Sequence, residues 1–232
     1  MKILIVGISG KMGRTLFHAL NDDVEQHEIR GVDIVKNDIK TVTYHDFTEV
    51  DFNPDVIVDF SSRSALDDVL DFAEKHKTSC VFLATDYTEN DVEKIKELSK
   101  KVAVLKTANT SVGITLLLSL VKSVKKVFKT AEITITETHH IYKKDAPSGT
   151  ALAINDAVDG SAEIISIRQG EVVGTHEIKF DNGLESITIT HEANDRKLFA
   201  DGALLAAEFV YKKDTGFYTM QDVVESLKKS EY

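Results

Sequence analysis

Residues Glu137–Ala151 concentrate the side chains of this sequence that could act on an anionic substrate. His139 and His140 are adjacent, Lys143 follows three residues later, and the segment continues Asp-Ala-Pro-Ser-Gly-Thr. A histidine titrates near neutral pH and can supply a proton, whereas a lysine ammonium attracts a carboxylate or phosphate. Because successive side chains of a strand point to opposite faces, His139 and His140 are expected to have different roles.

The same segment is expected to pass from a strand through a loop into a helix. Residues 131–138 alternate as a strand does, and residues 148–158 have helical character. Main-chain N–H groups at a helix start lack intrahelical partners and point towards a bound anion. Ser148, Gly149 and Thr150 are therefore predicted to bind an anion, with hydroxyl donors and close approach at the glycine. The alternative is that the histidines cap a strand edge and the lysines only solvate a loop.

A glycine-rich turn forms a second group of candidate residues. Residues 2–6 read as a buried parallel strand, and helical character follows the turn from Arg14 onwards. Strand, glycine turn and helix in this order are the context of a dinucleotide fingerprint, which holds phosphates at the helix N-terminus. The pattern is GxxGxxG, with Ser9 at the middle position of the usual GxGxxG. The predicted cofactor-binding residues are Gly7, Ile8, Ser9, Gly10, Lys11, Met12 and Gly13.

Asp33 bears on the choice of cofactor. It follows the second predicted strand, residues 28–32. A carboxylate at this place accepts hydrogen bonds from ribose hydroxyls and favours NADH. Lys36 could instead pair with the 2′-phosphate of NADPH, and Asp33 could merely begin a turn. The sequence therefore favours NADH and leaves dual use open.

Alternating strands and helices predict a doubly wound parallel sheet in the first half of the chain. Further strands are predicted at residues 55–60, 79–84 and 102–106, and Ser64 is expected to cap the helix after the first of these. Loops at the carboxyl ends of such strands line the ligand crevice. The candidates to touch the cofactor there are Ser61, Ser62 and Arg63.

The pattern changes after residue 110. Residues 113–129 predict a long amphipathic helix, and closely spaced strands then predict an open, partly antiparallel sheet. An uncovered sheet face or edge favours oligomerisation. The predicted apolar side of the helix comprises Leu116, Leu117, Leu120, Val124 and Val127. The predicted strands are residues 163–168, 172–180 and 184–191, followed by helices at residues 199–211 and 220–229.

The predicted fold class is α/β, with a Rossmann-like doubly wound parallel sheet and a second α+β domain that contains an open mixed sheet. Residues 1–109 and 197–232 are assigned to a dinucleotide-binding domain. Residues 110–196 are assigned to a substrate-binding and oligomerisation domain.

Composition excludes several classes of partner. A net charge of −10 argues against nucleic acid or an anionic membrane surface as a general partner. Cys80 is the single cysteine and lies in an apolar run, so it is predicted to be a buried strand residue in a reducing, cytoplasmic setting. No signal peptide, membrane-spanning run or metal site is expected.

The sequence resembles the 4-hydroxy-tetrahydrodipicolinate reductases of lysine and diaminopimelate biosynthesis. The shared landmarks occur in family order over nearly the whole chain, and the histidine–lysine–DAPSGT motif is highly specific. The residues that carry the resemblance are His139-His140-x-x-Lys143-x-Asp145-Ala-Pro-Ser-Gly-Thr150, the turn Gly7 to Gly13, Ala108-Asn-x-Ser-x-Gly113, and Arg196 with Phe199-Ala-x-Gly-Ala203.

The resemblance implies a nicotinamide cofactor, a small cyclic dicarboxylate substrate and a cytoplasmic homotetramer built through the open sheet. It makes His139 the general acid and Lys143 a second acid or carboxylate ligand. His140 and the helix start at residues 148–150 would hold the substrate carboxylates. The resemblance adds Ala84, Thr85, Ala108 and Asn109 to the predicted cofactor-binding residues.

Two departures from the family pattern affect the cofactor side. Ala84-Thr85-Asp86-Tyr87 stands where the family usually has a Gly-Thr-Thr-Gly turn, and Asp86 is expected to place a negative charge near the cofactor. Lys11 replaces an arginine and weakens any bidentate grip on phosphate. Two alternatives stay open: a related nicotinamide dehydrogenase acting on another small imine or amino-dicarboxylate, and a catalytically idle NAD-binding regulator.

Overall fold

The structure is a computed structural model that describes residues 1–21, 27–36 and 38–229. The chain divides into two units. The first comprises Met1–Thr110 and Lys197–Tyr232, and the second comprises Ser111–Arg196. The strands are β1 Lys2–Val6, β2 Glu28–Val32, β3 Thr43–Tyr44, β4 Val56–Asp59, β5 Ser79–Phe82, β6 Ala103–Lys106, β7 Glu132–His139, β8 Ala162–Arg168, β9 Gly174–Asp181, β10 Ser186–Ala193 and β11 Gly216–Tyr218. The helices are α1 Lys11–Asn21, α2 Leu66–His76, α3 Glu89–Ser99, α4 Val112–Val127, α5 Gly149–Ala157, α6 Lys197–Tyr211 and α7 Met220–Lys229.

The described part of the first unit contains a seven-stranded sheet in the order β11-β6-β5-β4-β1-β2-β3. Every pair of neighbouring strands is parallel. The central strands are apolar between their first and last residues because helices cover both faces. Helices α2 and α3 pack on the face that contains Leu4, Ile57 and Val104, and α6 packs on strands β4 to β6. The predicted Rossmann-like class is confirmed, and Cys80 is buried in β5 as predicted.

Two strands and one cap in this unit differ from the predictions. Strands β3 and β11 were not predicted, because two or three residues are too few to show a period-two pattern. The prediction that Ser64 caps α2 is wrong. Ser64 lies in a 3₁₀ turn, Arg63–Ala65, where its hydroxyl bonds that of Ser62, and the cap position of α2 is Ala65.

The second unit contains a four-stranded mixed sheet in the order β10-β9-β7-β8. Strand β7 is parallel to β8 and antiparallel to β9, which confirms the predicted open mixed sheet. Helices α4 and α5 cover one face, where Ile133, Ile135, Ile178 and Phe180 form a core with them. The predicted apolar side of α4 is partly wrong, since Leu116, Leu120 and Val127 are 40%, 44% and 77% exposed. The buried residues on α4 are Ile114, Thr115, Leu117 and Val121.

None of the helices in the described ranges is both long enough and apolar enough to cross a membrane.

Candidate active site

The glycine turn of the first unit has the shape that phosphate binding requires. Gly7 has a φ of +76°, a conformation that side chains rarely adopt, and its carbonyl accepts the N–H of Gly10 at 3.0 Å. A Cβ at Gly13 would lie 2.3 Å from the carbonyl oxygen of Gly7. The turn therefore requires glycine at both places, and it leaves the N-terminus of α1 open to a ligand.

A cavity of about 520 Å³ lies against this turn, where β1, β2 and β4 end. Its volume and its place at the carboxyl ends of parallel strands fit a nucleotide. The predicted cofactor-contact residues that line it are Gly7, Ser9, Gly10, Asp33, Ser61 and Ser62. The predicted residues outside its lining are Ile8, Lys11, Met12, Gly13, Arg63, Ala84, Thr85, Ala108 and Asn109.

Ile8 and Arg63 lie outside the lining because their side chains are held elsewhere. Ile8 is fully buried against Gly31, where an added Cβ would come within 2.5 Å of it. The guanidinium of Arg63 donates through Nε to the carboxylate of Asp91 at 2.5 Å. Only the main chain of Ile8 remains available for a ligand, and the side chain of Arg63 is paired with the first turn of α3.

Asp33 is fixed beside the turn by two main-chain donors. Its Oδ2 accepts the N–H of Ser9 at 2.8 Å, and its Oδ1 accepts the N–H of Val35 at 2.9 Å. A carboxylate has about four acceptor sites, so both oxygens can still accept ribose hydroxyls. Among the described residues, the lining contains no lysine or arginine, and Lys36 lines an adjoining cavity.

Glu137 is the centre of a buried polar network in the second unit. Its side chain is fully buried and accepts hydrogen bonds from both terminal nitrogens of Arg168, at 2.9 and 3.1 Å. It also accepts the N–H of Ser148 at 3.3 Å and bonds Nδ1 of His139. Burial alone would raise the pKa of Glu137, but its hydrogen bonds, chiefly from Arg168, leave that pKa below its ordinary value. Glu137 is therefore an ionised carboxylate.

His139 is held by this carboxylate at the end of β7. The residue is 8% exposed, and its ring packs edge-on against His176 with centroids 5.2 Å apart. Burial lowers the pKa of His139, while Glu137 opposes the shift. With Nδ1 bonded to Glu137, the nitrogen left for a substrate is Nε2, which faces Gly174. A Cβ at Gly174 would lie only 3.0 Å from Nε2.

His140 lies just beyond the strand with its tautomer fixed by Arg196. Nη2 of Arg196 lies 3.2 Å from Nε2 of His140, and a guanidinium can only donate. Nε2 of His140 therefore accepts, which places the proton of the neutral ring on Nδ1. Nδ1 is buried and has no hydrogen-bonding partner in the described part of the chain. The N–H at Nδ1 of His140 is thus a buried donor without a partner among the described residues.

Lys143 is half-buried and paired with a nearby carboxylate. Its Nζ lies 2.9 Å from Oδ2 of Asp145, and its side chain is 22% exposed. The hydrogen bond from Lys143 holds the pKa of Asp145 below its ordinary value. A dianionic ligand could replace Asp145 as the partner of Lys143.

The start of α5 differs in one respect from the sequence prediction. Ser148 is buried and does not offer its N–H to an anion, because that group donates to Glu137. Its hydroxyl caps the helix by accepting the N–H of Ala151 and also contacts Nε2 of His176 at 3.3 Å. Gly149 faces open space, since a Cβ built there meets no atom within 4 Å. Thr150 follows on the first turn of the helix and is partly exposed.

Sequence reasoning assigned no role to Glu137, Arg168 or His176. A signal was present, because Glu137 and His139 lie at the same alternate positions of β7 as the apolar Ile133 and Ile135, which places all four on its buried face. A carboxylate in a core position requires a charged or hydrogen-bonding partner. Finding that partner required the register that sets β8 and β9 on either side of β7.

Comparisons with known proteins agree over the whole chain. Family models described as dihydrodipicolinate reductase, N-terminus, and dihydrodipicolinate reductase, C-terminus, match residues 1–110 and 113–224. The 4-hydroxy-tetrahydrodipicolinate reductase of Thermosipho africanus is 38% identical over 225 residues, which covers 97% of this chain and 98% of the relative. That of Alkaliphilus metalliredigens is 37% identical, with 97% and 99% covered.

A solved structure shares the fold. Dipicolinate-bound dihydrodipicolinate reductase from Paenisporosarcina sp. TG-14 aligns with a TM-score of 0.82 at 17% identity, covering 96% of this chain and 98% of that one. Both halves of the chain match the same family, and the curated relatives match over their full length. The chain therefore belongs to the dihydrodipicolinate reductase family.

Proposed function

We propose that the protein catalyses the nicotinamide-dependent reduction of 4-hydroxy-tetrahydrodipicolinate to tetrahydrodipicolinate in lysine and diaminopimelate biosynthesis. Family membership supports the reaction. The observation that carries the assignment to a site is the buried Glu137–His139 pair beside the open helix start at Gly149. It combines a proton carrier with space for an anion.

The reaction needs both a hydride and a proton. The product has a hydrogen where the substrate has a hydroxyl group, so the hydroxyl must leave as water and take up a proton. A reduced nicotinamide, when bound, supplies the hydride. The glycine turn and the cavity beside Asp33 fit such a cofactor.

His139 is the proposed proton donor. Burial lowers its pKa, so the ring is neutral near pH 7 while the site holds no anion. The two negative charges of the substrate raise that pKa, and His139 then takes up a proton as the substrate binds. Glu137 fixes Nδ1, so the proton for the substrate is held at Nε2. Gly174 keeps side-chain atoms away from that nitrogen.

Four residues are proposed to hold the two carboxylates. Lys143 exchanges Asp145 for a substrate carboxylate and can act as a second acid. His140 donates through Nδ1. Gly149 and Thr150 bind at the start of α5, where the absence of a side chain at Gly149 admits the ligand. Ser148 supports the site by capping the helix.

NADH is the proposed physiological cofactor, with NADPH tolerated. Asp33 can accept ribose hydroxyls, and two other carboxylates, Asp46 and Asp68, line the same cavity. A 2′-phosphate would meet negative charge there, and Arg14 is already paired with Asp38 at 2.7 Å. The described lining offers no cation to offset this repulsion.

A cytoplasmic homotetramer is the proposed assembly. Ile165 and Ile167 of β8 are 42% and 38% exposed on the face of the sheet opposite the core. A second copy packed on this face would bury them. Sedimentation of the wild type and of Ile165→Lys should distinguish a tetramer from smaller species. A wild type that sediments as a monomer at micromolar concentration would overturn this assembly.

The reaction is tested by adding purified protein and NADH to substrate made in place by the preceding synthase. Loss of NADH absorbance is expected, and His139→Gln should lower kcat by about 10²–10⁴-fold. Lys143→Ala should also impair turnover, whereas Lys144→Ala is the matched control, since Lys144 is exposed and next in the chain. Absence of NADH oxidation, or full activity in both His139→Gln and Lys143→Ala, would contradict the proposal.

A further inference from the structure

The turn that departs from the family pattern is bonded to the neighbouring loop. Both carboxylate oxygens of Asp86 lie 3.1 Å from the main-chain nitrogen of Arg63, whose N–H donates to them. Asp86 follows β5, and Arg63 follows the adjacent strand β4. The charge of Asp86 therefore has a partner in the main chain of the next loop.

Tyr87 makes a second connection between the same loops. Its hydroxyl donates to Oδ2 of Asp59 at 2.7 Å, and its ring packs against Phe82. The other oxygen, Oδ1 of Asp59, accepts two hydrogen bonds from Ser61. One comes from the main-chain N–H at 2.9 Å and the other from the hydroxyl group. Asp59 is 1% exposed, so each of these donors satisfies a carboxylate that water cannot reach.

A third connection reaches the start of α3. Nε of Arg63 donates to Oδ2 of Asp91, the residue that forms a capping box with Thr88. The loop after β4 is thus held by Asp59, Asp86 and Asp91 together. We call the carboxylates of Asp59, Asp86 and Asp91, together with the groups that donate to them, the carboxylate clasp.

The clasp ends at the cofactor cavity. Ser61 and Ser62 line that cavity, and they lie directly between Asp59 and the Arg63 N–H that Asp86 accepts. We propose that Asp86 and Tyr87 are positioning residues that hold the Ser61–Arg63 loop in the shape that binds the nicotinamide dinucleotide. The inference rests on the proposed function only in its choice of cofactor. It gives a role to two of the four residues that stand in place of the usual Gly-Thr-Thr-Gly turn.

Electrostatic repulsion between Asp86 and the cofactor would change the affinity in the opposite direction. If its carboxylate mainly repelled the cofactor phosphates, Asp86→Ala would tighten cofactor binding. If the carboxylate instead holds the loop, the same variant allows the loop to adopt other conformations. Cofactor affinity then falls with the fraction of molecules that keep the binding conformation. The sign of the change in Kd therefore separates the two effects.

The test measures NADH binding to the full chain by calorimetry. Asp86→Ala should raise Kd about tenfold, the scale of one lost hydrogen bond to a charged group. Asp86→Asn keeps an acceptor for the Arg63 N–H and should stay within about threefold of the wild type. Glu89→Ala is the control for charge alone, because Glu89 is exposed and three residues away. It should leave Kd unchanged.

Tyr87→Phe tests the clasp through its other contact. It removes one donor from Asp59 and should also raise Kd for NADH, with KM for NADH rising and kcat changing by less than about twofold. Thermal melting of each variant, with binding measured well below its midpoint, separates weaker binding from unfolding. Unchanged or lower Kd in both Asp86→Ala and Tyr87→Phe overturns the inference. A wild type that binds neither NADH nor NADPH refutes the proposed function instead.

Discussion

Asp33 accepts the main-chain N–H of Ser9 at 2.8 Å, which joins the carboxylate proposed to select the cofactor to the turn proposed to bind its phosphates. Removing the carboxylate should therefore affect both recognition of the ribose and the shape of the turn. Because the turn is proposed to contact the phosphates common to NADH and NADPH, only the ribose effect should differ between the two cofactors.

Asp33→Ala should lower the affinity for NADH by about tenfold and that for NADPH by less. The reason is that the variant loses acceptors for the ribose hydroxyls but also loses repulsion of a 2′-phosphate. Calorimetry with both cofactors measures the ratio. Asp67→Ala is the matched control, since Asp67 lies on α2 outside the cavity and pairs with Lys94. Equal losses for both cofactors would refute the assigned preference.

Gly149→Ala should raise KM for the dicarboxylate about tenfold without lowering the melting temperature. A methyl group at this position meets no protein atom within 4 Å, so it enters the space proposed for the substrate. Gly174→Ala provides the contrast, because its methyl group would press on Nε2 of His139. That variant should lower kcat more than it raises KM. Steady-state kinetics measure KM and kcat of both variants, and thermal melts measure their melting temperatures.

Glu137→Gln should lower kcat by about 10²-fold and destabilise the fold by about 3 kcal/mol. Its amide keeps the volume of the carboxylate but leaves the half-buried Arg168 without a counter-charge and His139 without its ionised partner. Glu185→Gln, at an exposed position between β9 and β10, is the matched control. Urea unfolding and steady-state assays measure the two effects. A Glu137→Gln enzyme with full turnover would exclude this carboxylate from the mechanism.

Stability should fall as the pH decreases from about 6.5 to about 4. Burial lowers the pKa of His176 to about 4, so the ring stays neutral in the folded state over this range. In the unfolded state the ring takes up a proton once the pH falls below the ordinary pKa of histidine. The unfolded state then binds more protons, and acid favours it. The contribution of His176 alone reaches about 3 kcal/mol at the acid end. His139 and His191, whose pKa values burial also lowers, act in the same direction.

Denaturant unfolding over this pH range measures the effect. His176→Gln should flatten the pH dependence, whereas substitution of the exposed His18 by glutamine should not. An unchanged slope in His176→Gln would assign the acid sensitivity to other groups.

The fold could be predicted from the sequence where a pattern extends over several consecutive residues. The buried strands β1 and β4 and the glycine turn follow from residues close together in the chain. The inward face of α4 did not, because apolar residues surround much of that helix. Leu116 and Val127 are as apolar as the buried Leu117, and only packing against the sheet chooses among them.

The site was predictable in its types of residue and much less so in its connections. His139, His140, Lys143 and Gly149 became candidates from their residue types and spacing, and their place in the site stays a prediction. Their partners lie on other strands or loops, as Arg196 does for His140, and a sequence gives no register between strands. Asp86 is the clearest case, since nothing in the sequence indicated that its carboxylate accepts the N–H of Arg63.

The first unit is assembled from two segments that are far apart in the chain, and this orders its folding during synthesis. Strand β11 pairs with β6, and α6 packs so closely that a Cβ at Gly202 would lie 1.9 Å from the carbonyl oxygen of Thr110. Residues 111–196, the second unit, leave the ribosome before either element has emerged. The second unit can therefore close on its own contacts first. The nucleotide-binding sheet must wait with an unpaired β6 edge until the last strand emerges, which makes that edge the point where a nascent chain is most exposed to aggregation.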